Sequence, residues 1–172
     1  WYGIVASTLF WSQFEDRNHQ YASSSWDTRH ILSITAGKKF KRNWELGARF
    51  RMQGGTPYTP YNVQYASLIP VYNANPQGVY DYSRLNTLHL PLFHQLDIRV
   101  TKKWYFTKWS LELYLDIQNL YYHKVTDVPR LVVVTDDNGN PLYTPDNLHY
   151  QTKLLPNTSA IIQPQLGIVI TY

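Results

Sequence analysis

Histidines are the side chains of this sequence best able to hold a metal ion or move a proton. They stand at His19, His30, His89, His94, His123 and His149. No H-x-x-x-H pair occurs, and the chain has no cysteine to complete a zinc site. Asp136, Asp137 and Asn138 are similar to the start of a calcium loop, but Asn147 stands where the liganding glutamate belongs. We therefore predict no catalytic residue, metal site or cofactor, and no enzyme.

Alternation of side-chain type between Ser110 and Asn119 is the clearest structural signal. Every second residue from Leu111 to Ile117 is aliphatic, and Glu112 and Asp116 lie among the polar residues between them. A period of two predicts a β-strand whose faces contact different surroundings. About ten residues cross a bilayer at a strand's usual tilt. We interpret this segment as a lipid-facing strand with Leu113 near the middle of the membrane.

The same alternation recurs along the chain. It extends over 44–53 and 95–103, more weakly over 32–37, and again over 166–172. The first segment, Tyr2 to Ser12, is apolar without clean alternation, so the sequence leaves its facing open. Together these segments predict an all-β protein, an antiparallel transmembrane β-barrel of which about six strands are present. Because the smallest single-chain membrane barrels have about eight strands, we expect the other strands to come from elsewhere.

Composition agrees with a membrane barrel. The chain of 172 residues contains 15 Tyr and 6 Trp, yet no apolar run is as long as a membrane helix. Aromatic girdles and a polar interior give this combination. The net charge of +4 is spread among strands and turns, and no nucleic-acid-binding motif accompanies it. Because the chain begins at Trp1 within an apolar segment and without a signal peptide, we expect residues 1–172 to be part of a longer polypeptide.

Connections between the predicted strands alternate in length. Phe40–Asn43 and Tyr105–Lys108 are short, whereas the connections over 16–29, 54–93 and 120–164 are long. Outer-membrane barrels have short periplasmic turns and long external loops, which predicts the orientation. Asn138-Gly139 predicts a hairpin turn, so strands could extend above the membrane there. A soluble β-sandwich that binds carbohydrate is the more distant alternative.

Charged side chains are predicted to share the polar face of these strands. They are Glu45, Arg49, Arg51, Asp97, Arg99, Glu112 and Asp116. Opposite charges on adjacent strands can pair across the ladder, which would satisfy a barrel interior. The same surface could hold an internal plug domain through polar contacts, and the two interpretations are compatible.

The second long connection is rich in tyrosine. Its tyrosines are Tyr58, Tyr61, Tyr65, Tyr72, Tyr80 and Tyr82. Rigid amphipathic rings give contact area at low entropic cost, which predicts a ligand-binding loop. They could equally pack against one another as a loop core, and the sequence leaves both interpretations open.

Four short segments and a terminal aromatic residue carry a family resemblance. The segments are Trp26–His30 (WDTRH), Gly54–Pro60 (GGTPYTP), Gln95–Val100 (QLDIRV) followed by Lys102 and Lys103, and Leu113–Asn119 (LYLDIQN). In this order, and with Tyr172 at the end, they resemble the C-terminal part of the barrel of a TonB-dependent outer-membrane receptor of the Bacteroidetes type.

The resemblance implies a plugged barrel of about 22 strands in the outer membrane of a Gram-negative bacterium. It implies active uptake of an iron chelate, cobalamin, a glycan or a peptide, with Tyr172 as an assembly signal. Implied partners are outer-membrane lipid, the rest of the barrel and its plug, the TonB complex and a surface lipoprotein, without nucleic acid. The alternative is a non-transporting outer-membrane barrel with a structural, adhesive or scaffolding role.

Overall fold

A computed structural model describes residues 1–15 and 19–172, and its main element is a six-stranded antiparallel sheet. Its strands, in spatial order, are β1 (Tyr2–Leu9), β4 (His30–Lys39), β5 (Trp44–Gln53), β8 (Phe93–Tyr105), β9 (Ser110–Gln118) and β12 (Gln163–Thr171). Spatial order follows chain order, so the sheet is an up-and-down meander. The all-β prediction is confirmed. The described sheet is open, with β1 and β12 at its two edges.

Short turns and long connections lie at opposite ends of this sheet. A 3₁₀ turn, Lys41–Asn43, joins β4 to β5, and the turn between β8 and β9 is closed by a hydrogen bond from Phe106 N to Trp109 O of 2.8 Å. We call this end the lower edge. β8 continues through Tyr105, so the second turn begins one residue later than the sequence predicted.

Cross-strand register separates the two faces of the sheet. Ala36, Ala48 and Ile98 are aligned across β4, β5 and β8, and Ile98 is aligned with Ile117 of β9. Leu113 and Leu111 of β9 are aligned with Ile168 and Ile170 of β12. These positions and their every-second-residue neighbours form the outward face, and the positions between them form the polar face. The predicted alternation is therefore continuous from strand to strand.

Register also decides the facing of β1, which the sequence left open. Val5 is aligned with Ile34, and Tyr2 is aligned with Gly37. Val5 and Leu9 therefore share the outward face, and Tyr2 and Ile4 share the polar face. Alternation is blurred in β1 because Ile4 is on the polar side, where it remains 69% exposed.

The described residues contain almost no apolar core. Ala66 and Leu131 are their buried hydrophobic side chains, and neither belongs to the six-stranded sheet. The accessible surface is 12230 Å², whereas a folded monomer of this mass exposes roughly 8,800 Å². The sheet therefore behaves as a single layer whose apolar face lacks a protein partner within the described chain.

Small elements occupy the three long connections. β2 (Gln13–Glu15) pairs with β3 (Tyr21–Ser23), and β6 (Pro57–Tyr58) pairs with β7 (Leu88–His89). Helices α1 (Val63–Ala66) and α2 (Ile69–Ala74) and a 3₁₀ turn, Tyr82–Arg84, lie in the second connection. β10 (Val125–Val133) and β11 (Thr152–Ser159) form a hairpin in the third. No helix in the described part of the chain is long and apolar enough to cross a membrane.

The bounds of two predicted segments differ from the described structure or lie partly outside it. The first long connection was predicted over 16–29, and residues 16–18 lie outside the described residues. The alternation over 95–103 predicted a strand that begins at Gln95, but His94 also belongs to β8, where it is aligned with Met52 on the outward face. The strand begins earlier than predicted because its pairing with β5 continues to Phe93 and Gln53.

Candidate functional site

The WDTRH segment forms a joint at the upper end of the sheet, opposite the lower edge. Asp27 is fully buried and accepts hydrogen bonds from Ser12 N at 3.0 Å, from the Ser23 hydroxyl at 2.8 Å and from Arg29 Nε at 3.1 Å. Burial alone would raise the pKa of Asp27, but these hydrogen bonds and the Arg29 charge lower it below its ordinary value. The carboxylate therefore ties the chain after β1 to β3 and to the start of β4.

The glycine pair of GGTPYTP forms a second joint. A Cβ at Gly54 would lie 1.9 Å from the Thr28 carbonyl oxygen, and one at Gly55 would lie 1.6 Å from that of Leu90. These glycines are required for close backbone approach on both sides of the segment. Asn86 extends the joint, because its side chain donates to Ser23 O at 2.7 Å and its N–H donates to the Thr59 hydroxyl at 3.0 Å.

Asp97 of the QLDIRV segment is the centre of the polar face. It is 5% exposed, and one carboxylate oxygen accepts from Arg49 Nη2 and Arg51 Nη2, each at 3.1 Å. The other oxygen accepts from Gln95 Nε2 at 2.6 Å and from Asn119 N at 3.1 Å. Two cations and two neutral donors thus satisfy the buried Asp97 carboxylate, on the face predicted to line the barrel interior.

Asn119 ends the LYLDIQN segment and connects three parts of the chain. Its amide nitrogen donates to the carbonyl oxygens of His123 and Ile161, and its amide oxygen accepts from His123 N at 2.8 Å. The link holds β9 and β12 together where the β10–β11 hairpin begins. All four family-like segments therefore act as structural joints.

The other predicted polar-face residues share one face with Asp97. Arg99 is aligned with Asp116, and its guanidinium lies 3.5 Å from a Glu112 oxygen and 3.8 Å from the centre of the Tyr114 ring. The Tyr2 hydroxyl donates to Glu45 at 2.6 Å. An open depression of about 260 Å³ is lined by Tyr2, Arg49, Arg99 and Asp116. Whether a plug docks on this surface stays a prediction.

Three of the six predicted tyrosines line one cavity. It measures about 540 Å³, and its walls include Tyr61, Tyr72, Tyr80, Asp127 and Arg130. The Tyr61 and Tyr80 rings are stacked with centroids 4.8 Å apart. Burial, and then the hydrogen bond with Tyr80, raises the pKa of Tyr61 to about 12, so its hydroxyl stays neutral. The cavity thus offers aromatic faces beside a cation and a carboxylate.

The remaining tyrosines are placed differently. Tyr58 lies in β6, where it is aligned with Leu88. Tyr65 in α1 is about half exposed, and Tyr82 is largely exposed with its ring edge-on to Tyr80. Tyr72 contacts the Tyr150 ring edge-on at 5.6 Å. Tyr61, Tyr72 and Tyr80 therefore pack against other rings, as the loop-core interpretation expects, and they also line the cavity, whereas ligand binding there stays a prediction.

Sequence reasoning missed the contribution of β10 to this cavity. Asp127 and Arg130 belong to the third connection, 120–164, in which the sequence predicted a hairpin turn at Asn138-Gly139 but no strand with bounds. Val125 and the run that begins at Leu131 are rich in residues that favour strands, and they were the sequence signal for β10. The pairing of β10 with β11 cannot be predicted from such a run alone, because the paired residues are distant in sequence: Val133 and Thr152 are 19 positions apart, and Val125 and Ser159 are 34 apart.

Two histidines also come together, a contact that the sequence did not indicate. The His94 and His123 rings lie with centroids 3.8 Å apart, and His94 Nδ1 lies 2.6 Å from the Tyr121 hydroxyl. Burial, and then the neighbouring His94, lowers the pKa of His123, so its imidazole is neutral near pH 7. No group of three or more metal-binding side chains was found among the described residues.

The acidic run in the third connection forms a turn. One Asp136 oxygen accepts from Asn138 N at 2.9 Å and from Asn140 N at 2.7 Å, and Thr135 and Pro141 form a β-bridge. The carboxylate is thus occupied by backbone N–H groups, as expected for the hairpin turn predicted at Asn138-Gly139.

Comparisons of the chain with protein-family models, with curated proteins and with solved structures found no match.

Proposed function

We propose that this chain is part of the barrel of a TonB-dependent outer-membrane receptor, with its outward face in lipid and its polar face towards a plug. One observation carries the proposal. An apolar face is continuous in register across six strands, while the described residues bury only two hydrophobic side chains, both outside that sheet. A membrane supplies the apolar contact that a soluble single-layer sheet would lack.

Charge distribution supports this orientation of the faces. Asp97, Arg49 and Arg51 are grouped on the polar face, where a barrel interior would be. The outward strand positions carry no carboxylate in the described part of the chain. Aromatic side chains gather at the lower edge, as membrane interfaces favour, including Phe40, Trp44, Trp104, Phe106 and Trp109.

Edges of the sheet support closure with further strands. β1 and β12 each pair with one neighbour in the described structure. In lipid, unpaired backbone groups along such edges cost several kcal/mol each, so a membrane form requires further strands. A barrel of about 22 strands would supply them and would leave room for a plug.

The cavity formed by Tyr61, Tyr72, Tyr80, Asp127 and Arg130 is the proposed ligand contact. It lies between the two longest connections, which are external in the proposed orientation. Ligand binding there would be followed by movement of the plug, driven through TonB. Iron chelates, cobalamin, glycans and peptides remain the candidate ligand classes, and a surface lipoprotein remains a candidate partner.

A second function, a structural or adhesive barrel without transport, is favoured by one observation. The rings of the loops contact one another, as in the Tyr61–Tyr80 stack and the Tyr72–Tyr150 pair, so the loops form a packed unit. Such a unit presents a fixed surface to other proteins. It needs no mobile plug.

Uptake by cells that depend on this protein separates the two functions. Each candidate nutrient class is supplied in turn as the limiting source. Arg130→Ala combined with Tyr72→Ala should abolish growth on one class, whereas Tyr82→Ala, a solvent-exposed change in the same connection, should not. Equal amounts of folded protein in the outer membrane serve as the control. Unchanged growth of the cavity variant on every class would contradict uptake through this cavity.

A further inference from the structure

Two strands of the sheet carry the same sequence pattern. His30–Lys39 in β4 and His94–Lys103 in β8 both read H-x-L-x-I-x-[A or V]-x-K-K. In each strand the histidine, three aliphatic residues and the first lysine project from the outward face, and the second lysine projects from the polar face. The repeated pattern thus fixes a histidine at the upper end of the apolar band and a lysine at its lower edge.

Spacing between these boundary residues fits one bilayer. His94 and Lys102 are eight positions apart, as are His30 and Lys38. Eight positions at about 3.3 Å each cover roughly 26 Å along a strand, or about 20 Å across a membrane at the usual tilt. The lysines therefore lie at the level of headgroups if the outward face is in lipid.

Lysines on the two faces have different partners. On the polar face, Lys39 is aligned with Glu45 and Lys103 with Glu112, so each cation is opposite a carboxylate. On the outward face, Lys38 is aligned with Leu46, and Lys102 is aligned with Trp44 and Leu113. Among the described residues, the outward face of the sheet offers these two lysines no counterion.

Aromatic rings surround the outward lysines. Lys38 Nζ lies 4.4 Å from the Trp1 ring centre and 5.1 Å from that of Phe40. Lys102 Nζ lies 5.5 Å from the Trp44 ring centre and 5.3 Å from that of Trp104, and it donates to the Arg42 carbonyl oxygen. These contacts hold each ammonium in place and leave N–H donors free, since an ammonium has three.

The lower edge as a whole is strongly cationic. Its lysines and arginines are Lys38, Lys39, Lys41, Arg42, Lys102, Lys103 and Lys108. Its acids, Glu45 and Glu112, lie on the polar face, where the Tyr2 hydroxyl and the Arg99 guanidinium contact them. An anion that approaches from the lipid side therefore meets cations only.

We propose that Lys38 and Lys102 bind the phosphates of anionic phospholipids at the lower edge of the outward face. This inference rests on the proposed membrane location and adds the lipid class that the edge selects. An anionic phospholipid supplies the missing counterion, and its acyl chains contact the aliphatic band above. Phosphatidylcholine is a poorer partner because its choline carries a positive charge that the lysines repel.

Lipid binding by the intact protein in nanodiscs tests this inference. Nanodiscs contain equal amounts of phosphatidylcholine and phosphatidylglycerol with the same acyl chains, and native mass spectrometry counts the retained lipids. The wild type should retain phosphatidylglycerol preferentially. Lys38→Gln and Lys102→Gln should each lower that preference about fivefold, equivalent to about 1 kcal/mol. Lys38→Arg and Lys102→Arg should keep it, because the charge is kept.

Lys39→Gln and Lys103→Gln are the matched controls, since they remove the same charge from the next residue on the polar face. They should leave the preference unchanged. Equal retention of both lipids by the wild type, or equal losses in the outward and polar-face variants, would overturn the inference while leaving the membrane location intact. Failure of the wild type to enter nanodiscs of either lipid would overturn the proposed membrane location, and this inference with it.

Discussion

Single side chains in this protein act mainly by satisfying buried charge. Asp27 and Asp97 are both buried, and each accepts hydrogen bonds from several donors that include an arginine. Replacing such a carboxylate lowers the stability of the fold, because its buried hydrogen-bond donors are then left unpaired. The sequence indicated both residues through the family-like segments, but it could not show that Asp27 serves a joint.

Asp27→Asn should destabilise the joint at the upper end of the sheet by about 1–3 kcal/mol. Since hydrogen bonds and Arg29 lower the folded-state pKa of Asp27, its contribution is present above the unfolded pKa of about 4 and is lost as the pH falls through the folded value. Urea unfolding monitored between neutral and acidic pH checks this. The free energy of unfolding should change less steeply with pH in the acidic range for the variant than for the wild type. Identical acid dependence in the two proteins would contradict the role of Asp27.

Ile98 should be the position of β8 least tolerant of charge. It lies midway between His94 and Lys102, so Ile98→Arg should cost about 2–4 kcal/mol in a bilayer. Leu113, expected near the membrane centre from the sequence alone, is aligned with Lys102 at the lower edge, so Leu113→Arg should cost about 0–1 kcal/mol. Thr101→Arg on the polar face is the control for the mutation itself. Unfolding free energies of the variants, measured in lipid vesicles, check this prediction. Equal losses of stability for Ile98→Arg and Thr101→Arg would contradict the assignment of Ile98 to the lipid-facing side.

At the scale of elements, aromatic rings over glycines connect neighbouring strands. Tyr114 of β9 is aligned with Gly167 of β12, and a Cβ at Gly167 would lie 2.1 Å from Tyr114 Cζ. Tyr2 of β1 lies over Gly37 of β4 in the same way. An aromatic ring compensates for the side chain that glycine lacks in a strand. Both pairs involve an edge strand of the described sheet, where the register has least support.

Gly167→Ala should therefore displace the Tyr114 ring and cost the β9–β12 pair about one cross-strand contact, about 0.2–1 kcal/mol. Gly3→Ala in β1 is a matched control, because its Cβ would meet Thr35 O at an ordinary 3.5 Å. Adding Tyr114→Ala to Gly167→Ala should remove the clash and yield a coupling energy in a double-mutant cycle. Additive effects in that cycle, measured by urea unfolding, would show that the ring does not depend on the glycine.

The elements that could be predicted were those with a local period. Alternation located five of the six sheet strands to within a few residues, because a side-chain period of two determines both extent and facing. β1 was indicated only as an apolar segment, and its facing came from its register with β4. β6, β7 and the β10–β11 pairing could not be predicted in this way. They depend on distant contacts that leave no periodic trace, such as those at Gly78, where a Cβ would lie 2.8 Å from the Tyr61 ring and 3.4 Å from Leu131 Cδ2. Tyr61, Tyr72 and Tyr80 were candidate site residues because tyrosine is frequent in one connection. Arg130 was not a candidate, because only the fold brings β10 to the cavity that they line.

At the scale of the whole molecule, the sheet is a surface with two chemically distinct sides. The polar side is connected by ion pairs around Asp97, and the outward side is apolar between a histidine level and a lysine level. Loops above the sheet enclose a cavity, and turns below it carry cations and aromatic rings. Tyr172, which follows β12 and is almost fully exposed, stays a predicted assembly signal.

The most direct test of the central claim is a spin-label scan of β9 in the protein reconstituted in lipid. A nitroxide is placed at each position from Leu111 to Ile117, and its collisions with oxygen, which partitions into lipid, and with a water-soluble nickel chelate are measured. Oxygen accessibility should be higher at Leu111, Leu113, Leu115 and Ile117 than at the positions between them, and among these four it should increase from Leu111 at the lower edge to Ile117, which is aligned with Ile98. Nickel accessibility should be higher than oxygen accessibility at Glu112, Tyr114 and Asp116. The absence of this period of two, with water-like accessibility on both faces, would contradict a lipid-facing sheet.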